Sequence, residues 1–271
     1  GRLDAETGEQ VSGSKTNANV VGNDINSADW VGGRASIKWL VNDNWSVTDI
    51  VNYSDSKIKG FNDYDPTTGD LETVKFFDER WDDEWWNNQL SVEGDLGFAQ
   101  LDSALAYFER DTAYTIDGTS GVAYYHSVLG VYGRGNCATQ YAAYNIYDFA
   151  TACELNGVGY DVDNGDPTGF NRNDQTDKRW TWETRLSGST SRWDWTLGFF
   201  YQEADQEWEY GTHIDDYTET EAFAAYRALY GDIEPTDISY ASGEESTRTD
   251  YAVFGETTIS MTDMGRVTNA A

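Results

Sequence analysis

Nowhere does this chain string together the roughly 18 apolar residues that a membrane-crossing helix needs. No charged-then-apolar leader stands at its start, so neither a spanning helix nor a signal peptide is expected, and the chain reads as a fragment of a longer protein. Positive charge is scarce: 18 Lys and Arg stand against 48 Asp and Glu, a formal charge of -30. Phosphate backbones would be repelled, which excludes nucleic acid as a partner, and the acidic excess serves to keep surface loops solvated. There is no nucleophile elbow, phosphate-binding glycine loop or His-rich motif. The expectation is therefore no enzyme, no catalytic residue, no cofactor and no bound metal.

Aromatic residues, by contrast, make up 15% of the chain, although its mean hydropathy is only -0.66. A disordered acidic chain carries fewer aromatics, and a helical membrane protein is far less polar. A transmembrane β-barrel combines the two properties, because only alternate strand residues face lipid while the lumen and loops stay wet.

Two-residue alternation is the strongest local signal. Across 193–202, Trp193, Trp195, Leu197, Phe199 and Tyr201 share one strand face, opposed by Asp194, Thr196, Gly198, Phe200 and Gln202. The first set reads as a lipid face with an aromatic girdle at each end. Just upstream, Trp180, Trp182 and Leu186 oppose Arg179, Glu183 and Arg185, and Ser187–Ser191 forms a polar turn, so the two segments read as a hairpin. Further strands are expected near 30–41, 45–58, 84–96, 99–116 and 246–260, which makes about seven. Tyr107 and Tyr251 join the lipid-facing aromatics. Asp49 falls on the same face as Val47, Val51 and Tyr53, so either a carboxylate sits in the lipid band or the register there differs.

Connections alternate between short and long. Val41–Asn44, Gly94–Ala99, Ser187–Ser191 and Thr262–Gly265 are short, whereas polar excursions run through about 59–83, 117–176 and 207–245. Short periplasmic turns and long extracellular loops give this rhythm. Tyr141, Tyr144 and Tyr147 recur at near-helical spacing, as do Phe223, Tyr226 and Tyr230, so short loop helices are expected. With Trp208, the first five offer faces for a solute, or else they pack their own loops. Asp78, Glu79, Asp82, Asp83 and Glu84 crowd one strand end, and Asp215, Asp216, Glu219 and Glu221 another loop. Around a mouth they would disfavour strongly anionic solutes.

Cys137 and Cys153 lie in one polar stretch and would form a local disulfide in an oxidising compartment, closing a loop of about 15 residues. A metal pair with His126 is the alternative, although the spacing matches no standard zinc pattern. His126 and His213 otherwise read as incidental. Asp161–Asp166 approaches a calcium loop but breaks its spacing.

Several strands resemble the barrel region of TonB-dependent receptors, in particular the iron-complex receptor group. Asp194–Tyr201 looks like that family's W-x-L-G-x-F-Y strand, Trp182–Ser187 like the E-x-R-L-x-S strand before it, and Val253–Glu256 like A-V-F-G-E. Gly33–Trp39 resembles its G-G-R-x-x-x-x-W opening, and Phe98–Ser103 its hairpin after a polar turn. The order and spacing hold across about 30–260. No TonB box, plug or C-terminal strand ending in an aromatic residue is present in the chain, which would be one partial barrel domain over 1–271, with 1–29 the tail of a preceding strand or loop. The resemblance implies a bacterial outer-membrane importer whose partners are lipid, the TonB energy-coupling complex acting through a plug, and a bulky solute such as an iron chelate, macrocycle or oligosaccharide. A passive porin and a carbohydrate-binding surface β protein remain the alternatives.

Overall fold

The computed structural model describes residues 17–64, 68–119, 168–215, 217–219, 235–262 and 265–270, with the backbone alone for 261–262 and 265–270. They form one antiparallel sheet in which each strand pairs with its sequence neighbours. Its strands are β1 (Ser27–Asn42), β2 (Trp45–Lys59), β3 (Arg80–Asp95), β4 (Gln100–Asp117), β5 (Gly169–Ser189), β6 (Trp193–Ile214), β7 (Ile238–Thr262) and β8 (Gly265–Ala270). A 3-10 turn, Tyr217–Glu219, follows β6. Among the described residues β1 and β8 each have a single neighbour, so the sheet is open at both sides.

The short turns at one end are built by polar side chains that satisfy local amides. Asn42 Oδ1 accepts from Asn44 N at 2.8 Å, Asp95 Oδ1 from Gly97 N at 2.7 Å, and Thr190 Oγ1 from Trp193 N at 3.0 Å. Gly97 adopts φ 82°, a left-handed conformation that a side chain would strain. Tight turns fix register, and in a pleated sheet a one-residue slip would exchange the two faces.

Among the described residues only Ala99 and Ile214 are buried apolar side chains. The described sheet therefore has no second layer packed on it, and large apolar groups lie exposed on it, Ile37, Leu105, Leu197 and Val253 on one face and Trp30 and Leu40 on the other.

The all-β, antiparallel reading holds, with three differences of extent. An eighth strand follows the last short turn, where Thr262 pairs with Gly265. β5, β6 and β7 run for 21, 22 and 25 residues, so the connections on that side shrink to 60–79, 118–168 and 215–237. In β5 and β7 the added length is polar on both faces, and in β6 the apolar face switches sides after Tyr201, so the alternation by which a strand is recognised is lost or reversed while the backbone ladder continues. For the same reason Trp208, expected in a loop, stands inside β6 opposite Gln175 and Glu244. Cys137, Cys153, Tyr141, Tyr144, Tyr147, Phe223, Tyr226, His126 and the 161–166 segment, together with both expected loop helices, lie outside the described residues.

Candidate functional site

The register sorts side chains onto two faces. Trp193, Trp195, Leu197, Phe199 and Tyr201 of β6 share one face with Trp180 and Trp182 of β5, Tyr107 of β4 and Tyr251 of β7. All eight aromatics singled out in the sequence thus lie on a single aromatic face. Their rings touch across strands: Trp86 and Tyr107 at 5.1 Å between centroids, Tyr107 and Trp180 at 4.6 Å, Trp182 and Phe199 at 5.4 Å. Trp182 Nε1 donates to Ser103 Oγ at 3.1 Å, so that indole proton is satisfied within the face.

Two aromatic rows bound this face. The row farther from the short turns runs through Tyr53 and Trp86, which are directly opposed, then Tyr107 and Trp180, then Tyr201 and Tyr251. Tyr107 opposes Asn88, two residues nearer the short turns than Trp86, and Trp180 opposes Glu203, two residues from Tyr201. The row therefore drops by about one residue per strand, or about 3.4 Å for each 4.8 Å of sheet width, a slope of about 35°. If the row marks a plane, the strands tilt by that angle, within the range of membrane barrels. The row near the short turns repeats the slope. Trp45 stands eight residues below Tyr53 on β2, and Trp193 eight below Tyr201 on β6. Eight residues span about 27 Å along a strand and, at that tilt, about 22 Å of height, against the roughly 25 Å apolar band of an outer-membrane barrel.

Immediately beyond the upper row the same face turns acidic. Tyr53, Tyr107 and Tyr201 each donate a phenolic hydrogen bond to a glutamate just past them: Glu84 at 3.0 Å, Glu109 at 2.9 Å and Glu203 at 2.8 Å. This Tyr–Glu step recurs on three strands and marks the outer edge of the apolar face among the described residues. Inside the band one carboxylate interrupts the apolar surface. Asp49, opposite Ile37 and Leu90, is midway between Trp45 and Tyr53, and Asn88 Nδ2 donates to its Oδ1 at 2.6 Å. The first of the two readings of that strand is thus the one the register supports.

The opposite face is polar in the band and aromatic beyond it. Glu93 Oε2 accepts from Lys38 Nζ at 3.0 Å and from Ser46 Oγ at 2.9 Å, and Asn52 donates to Asn87 at 2.7 Å. Farther out, Arg110 grips Asp83 through two hydrogen bonds of 2.8 Å. Trp85 and Phe108, 6.3 Å apart, stand one step nearer the short turns than this pair, and farther out come Trp81 with Tyr114 at 6.2 Å and Tyr210 with Tyr240 at 6.2 Å. Trp208 belongs to this face, as its partners Gln175 and Glu244 do. Of these aromatics the sequence reading singled out Trp208 alone; the others stand on the face that is polar within the band, opposite the face on which the apolar alternation was followed.

At the long-loop end, Glu79 is buried and anchors the 60–79 connection. Its Oε1 accepts from Lys75 Nζ at 3.0 Å and from Asp117 N at 3.0 Å, while Lys75 Nζ also reaches Asp63 Oδ2 at 2.7 Å. Burial alone would lower the Lys75 pKa, but hydrogen bonds and attraction to Asp63 and Glu79 outweigh it and hold it above the ordinary lysine value. Asp117 in turn accepts from Phe77 N at 3.0 Å.

The acidic run at 78–84 is therefore not one cluster. Glu79 pairs with Lys75 and Asp83 with Arg110, while Asp82 and Glu84 point to the other face. Asp216 and Glu221 lie outside the described residues. His213 stacks on Phe170 at 4.5 Å and contacts Asp237 at 3.1 Å. Among the described residues no three His, Cys, Asp or Glu gather as a metal site.

No family model matches the chain, and neither does any curated protein. Solved structures do. The RagAB peptide importer in its closed-closed state is 9% identical with a TM-score of 0.44, over 86% of this chain and 26% of that one. The ferric yersiniabactin uptake receptor FyuA of Yersinia pestis is 9% identical with a TM-score of 0.39, over 89% and 27%. The ferric-catecholate import receptor Fiu of E. coli K12 is 10% identical with a TM-score of 0.41, over 91% and 36%. These are TonB-dependent receptors, the family whose strand motifs the sequence resembles. The chain spans about a quarter to a third of their lengths, and at these identities the likeness is one of fold alone.

Proposed function

We infer that the chain is part of the wall of an outer-membrane barrel of the TonB-dependent receptor kind, which binds and imports a bulky nutrient such as an iron–siderophore complex. The observation that carries the membrane part is the band of constant height between two parallel sloping aromatic rows, which nothing in a soluble sandwich would require. On this reading Trp180, Trp182, Trp193, Trp195, Phe199, Tyr201, Tyr107 and Tyr251 face lipid. The polar face lines the lumen, and the strand extensions carry the loops outward. Import, rather than passive diffusion, is supported by the strand motifs and by the length of the 118–168 connection. Energy would reach the solute from the TonB complex through a plug supplied by other parts of the protein, with no covalent chemistry.

Cysteine scanning in cells tests the placement. Leu197→Cys and Val253→Cys are expected to resist a membrane-impermeant maleimide, whereas Glu207→Cys reacts. Equal reaction at all three sites would remove the lipid face and favour a surface protein. Uptake of radiolabelled iron chelates tests the transport: loss on collapse of the proton-motive force supports the receptor, and protonophore-insensitive uptake indicates a porin.

A further inference from the structure

The polar face holds a cation that no described residue neutralises. Arg80, Arg110, Arg172, Arg185 and Arg248 each contact a carboxylate. Arg179, like Arg34 on the same face of β1, has neither an ion pair nor a hydrogen bond among the described residues, although the chain carries a formal charge of -30. It is exposed in the middle of β5, opposite Phe108 on β4 and Ala204 on β6. Phe108 in turn opposes Asn87, so a guanidinium, a ring and an amide stand side by side in one cross-strand row. Neighbouring strands lie about 4.8 Å apart, which brings the ring and the guanidinium within reach of one small ligand. Trp85 extends the apolar surface, its ring 6.3 Å from Phe108. Ala204 leaves open space on the other flank, since a methyl group cannot cover a guanidinium.

A free planar fork of N–H donors matches a carboxylate through two parallel hydrogen bonds, and rings beside it would hold the apolar body that bears the acid. Arg110, one step outward, is not available in this way because Asp83 already occupies its fork. Resting on the receptor reading, which makes this face the lumen wall, we propose that Arg179 with Phe108 and Trp85 is a subsite for a carboxylate carried on an aromatic body, so that the imported solute bears such a group.

The test uses the full-length protein that contains this chain, in de-energised outer-membrane vesicles, with naphthoate and its uncharged amide as probes. Naphthoate is expected to bind at least about tenfold more tightly than the amide, the range for a charge-assisted bidentate pair. Arg179→Gln abolishes that preference and leaves amide binding unchanged, whereas Phe108→Leu weakens both probes. Arg192→Gln, in a short turn, changes neither. Arg179→Lys keeps the charge without the fork; it retains only part of the preference and serves if the glutamine variant fails to insert. Equal binding of acid and amide, a preference that survives Arg179→Gln, or no binding of either probe because other parts of the protein cover the wall would overturn the proposal. Binding here needs no import, so its failure leaves the maleimide pattern intact, and an altered maleimide pattern leaves the naphthoate result standing.

Discussion

Within β6 two halves obey different rules. From Trp193 to Tyr201 one face is apolar and the other mainly small or polar; from Glu203 to Ile214 the order inverts, with Glu203, Asp205, Glu207 and Glu209 on the first face and Trp208, Tyr210 and Ile214 on the second, and the ladder to β5 and β7 continues with one irregularity towards β7 at Thr212 and His213. The near half places its apolar groups where lipid would take them up. The far half relies on backbone pairing and on side-chain links such as Thr247 to Asp205 at 2.7 Å. Strand formation therefore needs only satisfied backbone groups, whereas a run whose apolar face switches sides part-way reads in sequence as the end of the strand.

Substitution at matched positions on one face of the full-length protein would break or sharpen this contrast most strongly. Leu197, at mid-band, is 53% exposed on the aromatic face, and Glu207 lies on the same face of the extension. Leu197→Arg is expected to cost about 2–4 kcal/mol, as arginine does at a bilayer midplane, and Glu207→Arg to change stability by no more than about 0.5 kcal/mol. Urea titrations of the protein refolded into lipid vesicles measure both, and equal costs would erase the distinction between the halves.

A comparable loss confined to the outer end is expected from Lys75→Met. The variant strands the Glu79 carboxylate, whose side chain is 2% exposed, at a local cost of about 3 kcal/mol. Hydrogen exchange would show lost protection around 68–79, with the band unchanged. Protection lost throughout would mean that the two ends unfold as one unit.

An effect of opposite sign belongs to Asp49. Replacing it by leucine removes a carboxylate from the apolar band and leaves Asn88 Nδ2 its second acceptor, Ile50 O at 3.3 Å. A gain on the order of 1 kcal/mol in vesicles is expected. Destabilisation would place Asp49 against protein rather than lipid.

The smallest effect is a matter of pH. Because the folded Lys75 pKa is raised, its contribution is complete below the ordinary lysine value of 10.5 and is lost only as pH rises through the higher folded value. Protection of 68–79, after correction for intrinsic exchange, is expected to stay level from neutrality to about pH 10 and then fall. A fall near neutrality would assign the latch to another group.

Much of this architecture was open to reading from residue order alone. Alternation in 193–202 and 180–186 depends on the pleat, which sends neighbours to opposite faces whatever else surrounds them, and the short polar turns follow from local side-chain bonds. Asp49 was already legible as an anomaly on its face. Trp208 was misplaced because the apolar face of β6 switches sides after Tyr201, and the ends of β5 and β7 were missed because segments polar on both faces carry no periodic signal. The acidic run at 78–84 misled for another reason: neighbours in sequence become opposites in a strand, and their charges are met by Lys75 just upstream and by Arg110 from the next strand.

What the sequence by itself determined is the kind of sheet, its hairpins, and which aromatics share a face, since these depend on spacing within single strands. Tertiary structure alone decided the slope of the two aromatic rows, the constant height between them, the latch of Glu79 to Lys75 and Asp117, and the row that sets Arg179 beside Phe108. The slope, the height and the Arg179 row depend on register between strands, which is set by backbone hydrogen bonds between residues as far apart as Gln100 and Ser187, and the latch needs Asp117 from another strand, so none of them is written in local order.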